Sequence, residues 1–205
     1  EIEIPAGRTL WPAGWSRATL MTVGYGHGIS VSPLHLAQAY AALVNGGVWH
    51  PSTLRRVAPG ARVPGERVVS EQTSARMRQL LRLVVTDGTG HFADVPGFRV
   101  GGKTGTAEKE EGGGYSANKN ISTFAAAFPM DAPRYVVVVM LDSPVGNDES
   151  AGQRTAGWTA TPIVARVIQR AGPMLGVMPD PSRDLDVSEL RALIWHPANQ
   201  AAGEQ

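Results

Sequence analysis

The chain has 205 residues and a mass of 21.7 kDa, enough for one large domain or two small ones. Hydrophobic residues make up 42% and charged residues 18%, with a formal net charge of +1. That mix is globular and gives no electrostatic case for nucleic acid or for a basic membrane-binding patch. The lack of any cysteine excludes disulfides, thiolate catalysis and cysteine-ligated zinc, and leaves the redox compartment open.

The chain opens on Glu1 without a charged-then-apolar signal segment, which fits a processed product or a fragment. The first thirty residues carry Gly24, Gly26 and Gly28 and lack a long period, predicting loop with one short strand. Ser32-Pro33 then reads as an N-cap followed by proline at the first helical position. Leu34, Ala37, Tyr40, Ala41 and Val44 keep helical spacing, and Asn45-Gly46-Gly47 stops it, giving a helix over 33–44. Residues 48–57 and 66–69 read as short strands around the turns at Pro59-Gly60 and Pro64-Gly65. A second helix begins at Ser70, carries Met77, Leu80, Leu81, Val84 and Val85 on one stripe, and ends at Asp87-Gly88.

Three strand-like pieces follow at 98–107, 120–128 and 134–142, joined by connections short enough for antiparallel hairpins. The last, RYVVVVMLDS, contains the longest strongly apolar run, Tyr135 to Leu141, far too short to span a bilayer. It is apolar on both faces, which predicts a central strand covered above and below. A helix over 155–171 places Ala156, Ala160, Ile163, Val164, Val167 and Ile168 on a broad apolar face. Past Pro173 the chain is proline-punctuated, with a short helix at 188–195. No internal repeat is present. The order implies an α+β fold, an antiparallel sheet with helices on both faces.

The chemistry gathers in residues 97–109, GFRVGGKTGTAEK, where two patterns overlap. Gly97, Gly102, Lys103 and Thr104 fit the phosphate-cradling Gly-x-x-x-x-Gly-Lys-Thr loop. That loop needs a strand before it and a helix after it, whose N-terminal N–H groups hold the phosphates. Here Glu108–Glu111 runs into three glycines, a poor helix, and Val95-Pro96 precedes the loop. The second pattern is Lys103-Thr104-Gly105 on a strand that pairs with two more and is followed by a helix. As a bare tripeptide it would be an ordinary exposed strand end.

From about Val23 to Met178 the chain resembles the C-terminal part of a class B penicillin-binding protein, on the strings TVGYGHGISVSPLHLAQAYAALVNGG, GFRVGGKTGTAEK and NISTFAAAFPMDAPRYVVVVMLD. Within that family they are most similar to the cell-division peptidoglycan D,D-transpeptidases. Lys-Thr-Gly is one motif that penicillin-binding proteins share with class A β-lactamases. The resemblance implies an incomplete penicillin-binding protein/serine β-lactamase-like fold, with residues 1–178 as the C-terminal portion of the transpeptidase domain and 179–205 as a tail.

It also implies acyl transfer: a serine attacks the D-Ala–D-Ala carbonyl of a stem peptide, D-alanine leaves, and an amine of a neighbouring strand resolves the acyl-enzyme. Penicillins mimic the donor. Lys103 and Thr106 are then the catalytic candidates, and Thr104, Gly105 and Thr106 the substrate-binding ones. The Lys103 ammonium would supply positive potential near the nucleophile and for the substrate carboxylate. The Thr104 and Thr106 hydroxyls can hydrogen-bond that carboxylate. Gly105 lets an extended peptide approach the strand edge, and the Thr106 N–H would be one of two oxyanion donors. No metal or organic cofactor is implied.

The implied partners are peptidoglycan stem peptides, β-lactams, the missing N-terminal part of the enzyme and division-machinery proteins. The implied location is the periplasmic face of the inner membrane.

In the family the nucleophilic Ser-x-x-Lys and the Ser-x-Asn motif both precede Lys-Thr-Gly, yet neither occurs among the 102 residues before Lys103. Both patterns occur downstream, superimposed on Ser116-Ala117-Asn118-Lys119, where one serine cannot fill both roles. They read as accidents, so the chain alone is expected to be inactive. A non-catalytic peptidoglycan- or partner-binding module derived from this fold is the alternative, and a P-loop nucleotide binder the remote third. The five histidines show no ligand spacing, Glu110-Glu111 reads as a solvated hairpin tip, Asp142 and Ser143 as a turn, and the tryptophans as packing. Chemistry alone assigns no role to Tyr25 or His27.

Overall fold

The computed structural model describes residues 7–26, 28–111 and 114–194, with the side chains of 110–118 left out of that description. His27, Trp195 and His196 fall outside the described residues. Helix α1, Arg17–Val23, replaces the loop expected near the start. Its signal is Ser16, whose side chain accepts the Thr19 N–H as an N-cap. Helix α2, Pro33–Val44, forms as the sequence predicts, with the Ser32 hydroxyl accepting the His35 N–H at 3.2 Å.

The strands expected at 48–57 and 66–69 shrink to a two-residue ribbon, β1 Val48–Trp49 against β2 Glu66–Arg67. Pro51 cannot donate to a ladder, and the segment after it is exposed. Helix α3, Glu71–Thr86, is capped by Ser70, which accepts the Thr73 N–H at 3.0 Å. A 3₁₀ turn at His91–Ala93 leads towards the main sheet.

That sheet holds β3 Gly101–Glu111, β4 Gly114–Phe128 and β5 Tyr135–Asp142, antiparallel in the order β3-β4-β5. The first hairpin is longer than expected: residues 114–118, expected in a loop, continue β4, and a register shift at Glu108/Glu110 absorbs the mismatch. Helix α4, Ala156–Met174, runs through Pro162 and Pro173 and outlasts the expected end at 171. Helix α5 is the single turn Ser188–Arg191.

The pleat sorts the sheet into two faces. Phe124, Ala126 and Phe128 of β4 pack with Ala156, Ala160, Val164 and Ile168 of α4. Ala127, next in the alternation, packs with Val44 of α2, Leu81 of α3 and Met130. The fold is therefore α+β with helices on both faces of an antiparallel sheet. Phe124 and Phe128 are fully buried, and each contributes roughly 1.5–3 kcal/mol of apolar transfer.

The order of the sheet departs from one expectation. Among the described residues β5 has β4 on one side and no strand on the other, rather than a central place. Its two-sided apolarity reflects the layers above and below: Tyr135, Val137 and Val139 turn to the α4 core and Val136 to the α2 core. Covering both faces says nothing about lateral neighbours. Trp11 and Trp15 also depart from the packing role: their rings meet tilted at 45° with centroids 6.1 Å apart while staying 62% and 54% exposed.

Candidate functional site

Lys103, Thr104, Gly105 and Thr106 lie near the start of β3, which among the described residues has β4 on one side and no strand on the other. They pair with Ala125, Phe124, Thr123 and Ser122. Because Phe124 faces the α4 core, the pleat puts Thr104 and Thr106 on that side and Lys103 and Gly105 on the α2–α3 side.

Residues 101–111 are continuous strand, so the phosphate-loop reading fails. No helix N-terminus follows Thr104, and the N–H groups that would hold a phosphate are committed to extended backbone.

The hydroxyls of this strand are held from behind. Thr104 Oγ1 lies 2.8 Å from Thr89 Oγ1, and Lys103 Nζ donates to Thr104 O at 2.8 Å and to Thr104 Oγ1 at 3.2 Å. A chain of hydrogen-bonding groups thus runs from the ammonium through Thr104 to Thr89, just past the end of α3. Thr106 Oγ1 accepts the Ala156 N–H at 3.1 Å. Ser122, opposite Thr106, donates to Arg154 O at 2.7 Å, tying down the segment that enters α4. Between these elements opens a cleft of about 540 Å³ lined by Gly88, Thr89, His91, Thr104, Thr106, Thr155, Gly157 and Trp158. Its outer wall carries Trp158 beside Phe92, ring centroids 5.0 Å apart.

Glycines shape the strand in two different ways. A Cβ on Gly102 would meet Ala125 O at 2.5 Å, whereas one on Gly105 would meet nothing nearer than Thr123 O at 3.9 Å. Gly102 is required by the packing of the fold. At Gly105 the fold has room, and the bare backbone faces outward.

Sequence reasoning misses Thr89, which reads only as part of the Asp87-Gly88-Thr89-Gly90 helix stop, and gives no site role to His91, one of five histidines without ligand spacing, or to Trp158, read as packing. Nothing local marks them; a 15-residue separation and a helix–strand crossing bring Thr89 to Thr104. Asp142 and Lys109 form an exposed ion pair at 2.8 Å, and Ser143 Oγ donates to the same carboxylate. Ser116 and Lys119 lie in the extended backbone of β4, which lacks the one-turn proximity that Ser-x-x-Lys has on a helix. The side chains of Glu110, Glu111, Ser116 and Asn118 are outside the described residues. Tyr25 is exposed in the glycine-rich turn after α1.

Across residues 6–169 the chain matches the family described as the penicillin binding protein transpeptidase domain, and it belongs to that family. It is 47% identical over 181 residues to the probable peptidoglycan D,D-transpeptidase FtsI of Caulobacter vibrioides, covering 84% of this chain and 31% of that protein. Against stage V sporulation protein D of Bacillus subtilis it is 38% identical over 168 residues, covering 77% and 25%.

Among solved structures it is similar to the apo transpeptidase domain of penicillin-binding protein 3 from Burkholderia pseudomallei, with TM-score 0.73 and 36% identity over 81% of this chain and 49% of that one. It is equally similar to penicillin-binding protein 3 of Mycobacterium tuberculosis complexed with ampicillin, with TM-score 0.73 and 34% identity, covering 87% and 43%. The chain thus spans between a quarter and a third of these curated relatives and just under half of these solved chains.

Proposed function

We propose that this chain is the C-terminal portion of a peptidoglycan D,D-transpeptidase that cross-links stem peptides and binds penicillin, with the nucleophilic serine on a segment outside it. The observation that carries the reading is the Lys103-Thr104-Gly105-Thr106 segment: a cation and two hydroxyls from opposite faces of a strand whose edge has no described neighbour and lies open to an extended ligand.

In this reading the serine oxygen attacks the penultimate D-alanine carbonyl and its proton passes to a base of the missing part. The N–H of Thr106 is one of two donors to the developing oxyanion, a contribution of roughly 3–4 kcal/mol in related sites. The terminal carboxylate of the donor peptide sits against Thr104 and Thr106, drawn by Lys103. The C–N bond then breaks, D-alanine leaves as the protonated amine, and an acceptor amine later displaces the serine. No step calls on a metal or organic cofactor.

The missing part also accounts for what the structure leaves uncovered. Leu10, Trp11, Trp15, Leu20 and Met21, close together in sequence, are all more than half exposed, apolar surface of the kind a partner covers. We place residues 1–178 in the transpeptidase portion and treat 179–205 as a proline-punctuated extension. Among the described residues no helix is long and apolar enough to cross a membrane, and in this reading the site of action is periplasmic with division proteins as partners, which the family resemblance supports.

The test is labelling of the complete gene product by a fluorescent penicillin. The wild type should label covalently, Lys103→Ala should label at least a hundredfold more slowly, within the 10²–10³ range of a lost electrostatic stabiliser, and the 205-residue chain alone should not label. Absence of labelling in the complete product would favour the non-catalytic binding module.

A further inference from the structure

The chain beyond Met178 lies outside the matched family region, residues 6–169, yet it is bolted to the root of β3 through two buried guanidiniums. Arg82 of α3 is 6% exposed. Its Nε donates to Asp184 Oδ1 at 2.9 Å and its Nη2 to Asp184 Oδ2 at 2.6 Å, a bidentate pair. Its Nη1 donates to Asp94 Oδ1 at 2.8 Å and to the carbonyl of Val100 at 2.9 Å. Val100 immediately precedes Gly101, the first residue of β3.

The second guanidinium repeats the arrangement one residue earlier. Arg99 is 5% exposed and has a left-handed backbone, φ +51°, which residues with a side chain rarely adopt. Its Nε donates to Asp131 at 2.6 Å, and its Nη1 to the carbonyls of Gly97 at 2.6 Å and Asp180 at 3.3 Å. Arg183 closes the loop by pairing with the other oxygen of Asp131. The backbone N–H of Asp180 donates to Gly97 O at 2.9 Å, an approach that only glycine permits, since a Cβ there would lie 2.7 Å from Asp180 N.

We propose that Arg82 is a positioning residue for the Lys103 strand, and that residues 180–191 form a strap holding it in place. A guanidinium tied to Asp94 and Asp184 presents a fixed donor to Val100 O and so sets where the strand starts, three residues before Lys103. Lysine could not substitute, having no planar fork to reach three acceptors at once. Asp184, 102 residues away in sequence from Arg82, completes the clamp. The further anchors, Gln79 Nε2 on Asp186 O at 2.8 Å and Arg191 on Asp87 at 2.9 Å, keep the strap along α3.

This inference rests on β3 being the catalytic strand, and the test separates the two claims. In the complete gene product, acylation by a fluorescent penicillin is resolved into pre-acylation binding and the acylation rate constant for wild type, Asp184→Asn, Arg82→Lys and Glu189→Gln. Displacing a catalytic group by a fraction of an ångström to 1 Å costs on the order of ten- to a hundredfold. Asp184→Asn and Arg82→Lys should therefore lose about tenfold or more in the rate constant, with binding within about twofold. Glu189→Gln, whose exposed carboxylate forms a loose 3.7 Å pair with Arg76, should be unchanged.

A merely structural role predicts a smaller labelled fraction at an unchanged rate constant, and that outcome overturns the proposal. Amide hydrogen exchange over residues 101–106 is measured on the same variants. If wild type does not label, the transpeptidase reading fails, and faster exchange there in Asp184→Asn alone would still show that the strap positions the strand. Unchanged exchange would overturn it.

Discussion

The hydroxyl of Thr106 accepts the backbone N–H of Ala156 at 3.1 Å, so the strand carrying the candidate site also caps helix α4. Thr155, the N-cap residue, makes no side-chain cap of its own, and a neighbouring element satisfies one of the orphan donors of the first turn.

Thr106→Val should therefore lower the stability of the domain by about 1 kcal/mol, the usual size of a lost cap, while Thr106→Ser retains it. Chemical denaturation of the complete gene product measures both. Equal stability of all three proteins would show that the N–H finds another acceptor.

The two strand glycines should behave oppositely. Gly102→Ala forces a Cβ to within 2.5 Å of Ala125 O, and such overpacking typically costs 1–3 kcal/mol. Gly105→Ala meets nothing closer than 3.9 Å, so melting should be unchanged while penicillin labelling slows, because the methyl stands on the edge a ligand must approach. Normal labelling of Gly105→Ala would remove the case for ligand docking at that backbone.

Thr89→Val breaks the chain that joins Thr89, Thr104 and Lys103. One such hydrogen bond is worth about 0.5–1.5 kcal/mol, so acylation should slow by roughly two- to tenfold, and Thr89→Ser should restore it. A valine variant as fast as wild type would show that Thr104 is oriented without Thr89.

Acid should release the strap before it disturbs the core. Burial pushes the Asp184 carboxyl up, but the bonds from Arg82 outweigh this and hold it below the usual carboxylate range; Asp131 behaves the same way under Arg99. A depressed native pKa adds stability that is fully present above the unfolded value of about 4 and is lost as pH falls through the folded value. Proteolysis within 180–191 should stay slow from pH 7 to about 5 and accelerate below about 4. In Asp184→Asn it should already be fast at pH 7.

At the alkaline end the relevant group is Tyr40 of α2, whose hydroxyl is pushed up to about 12 by burial. The unfolded chain ionises near 10, so this stability is complete below pH 10 and fades as pH rises towards 12. Absorbance titration of tyrosinate should show one tyrosine ionising about two units late, and Tyr40→Phe should remove that step.

Much of the fold was legible because its signals are local. Ser32-Pro33 and Ser70 start helices by hydrogen bonds within three residues, and the stripe on α4 reports the face it buries. Lys103-Thr104-Gly105 was likewise visible as a motif on a strand. What stayed hidden depends on distance. The place of β5 at the end of the described sheet could not be read from apolarity that measures only layers, and α1 is too short for a period. Thr89 reaches the site through a helix end, and the Arg82–Asp184 pair spans 102 residues. A buried arginine in an amphipathic helix looks in sequence like any surface one.

The outer rail of β5 has a practical corollary. Its ladder groups have no described strand beside them, and a strand already roofed and floored by helices is a ready template for whatever β-hairpin arrives first. Expressed by itself, the polypeptide should clump edge to edge; on the proposed function, co-expression with the upstream segment of the gene product as a separate chain should keep it in solution and restore penicillin labelling as a split enzyme.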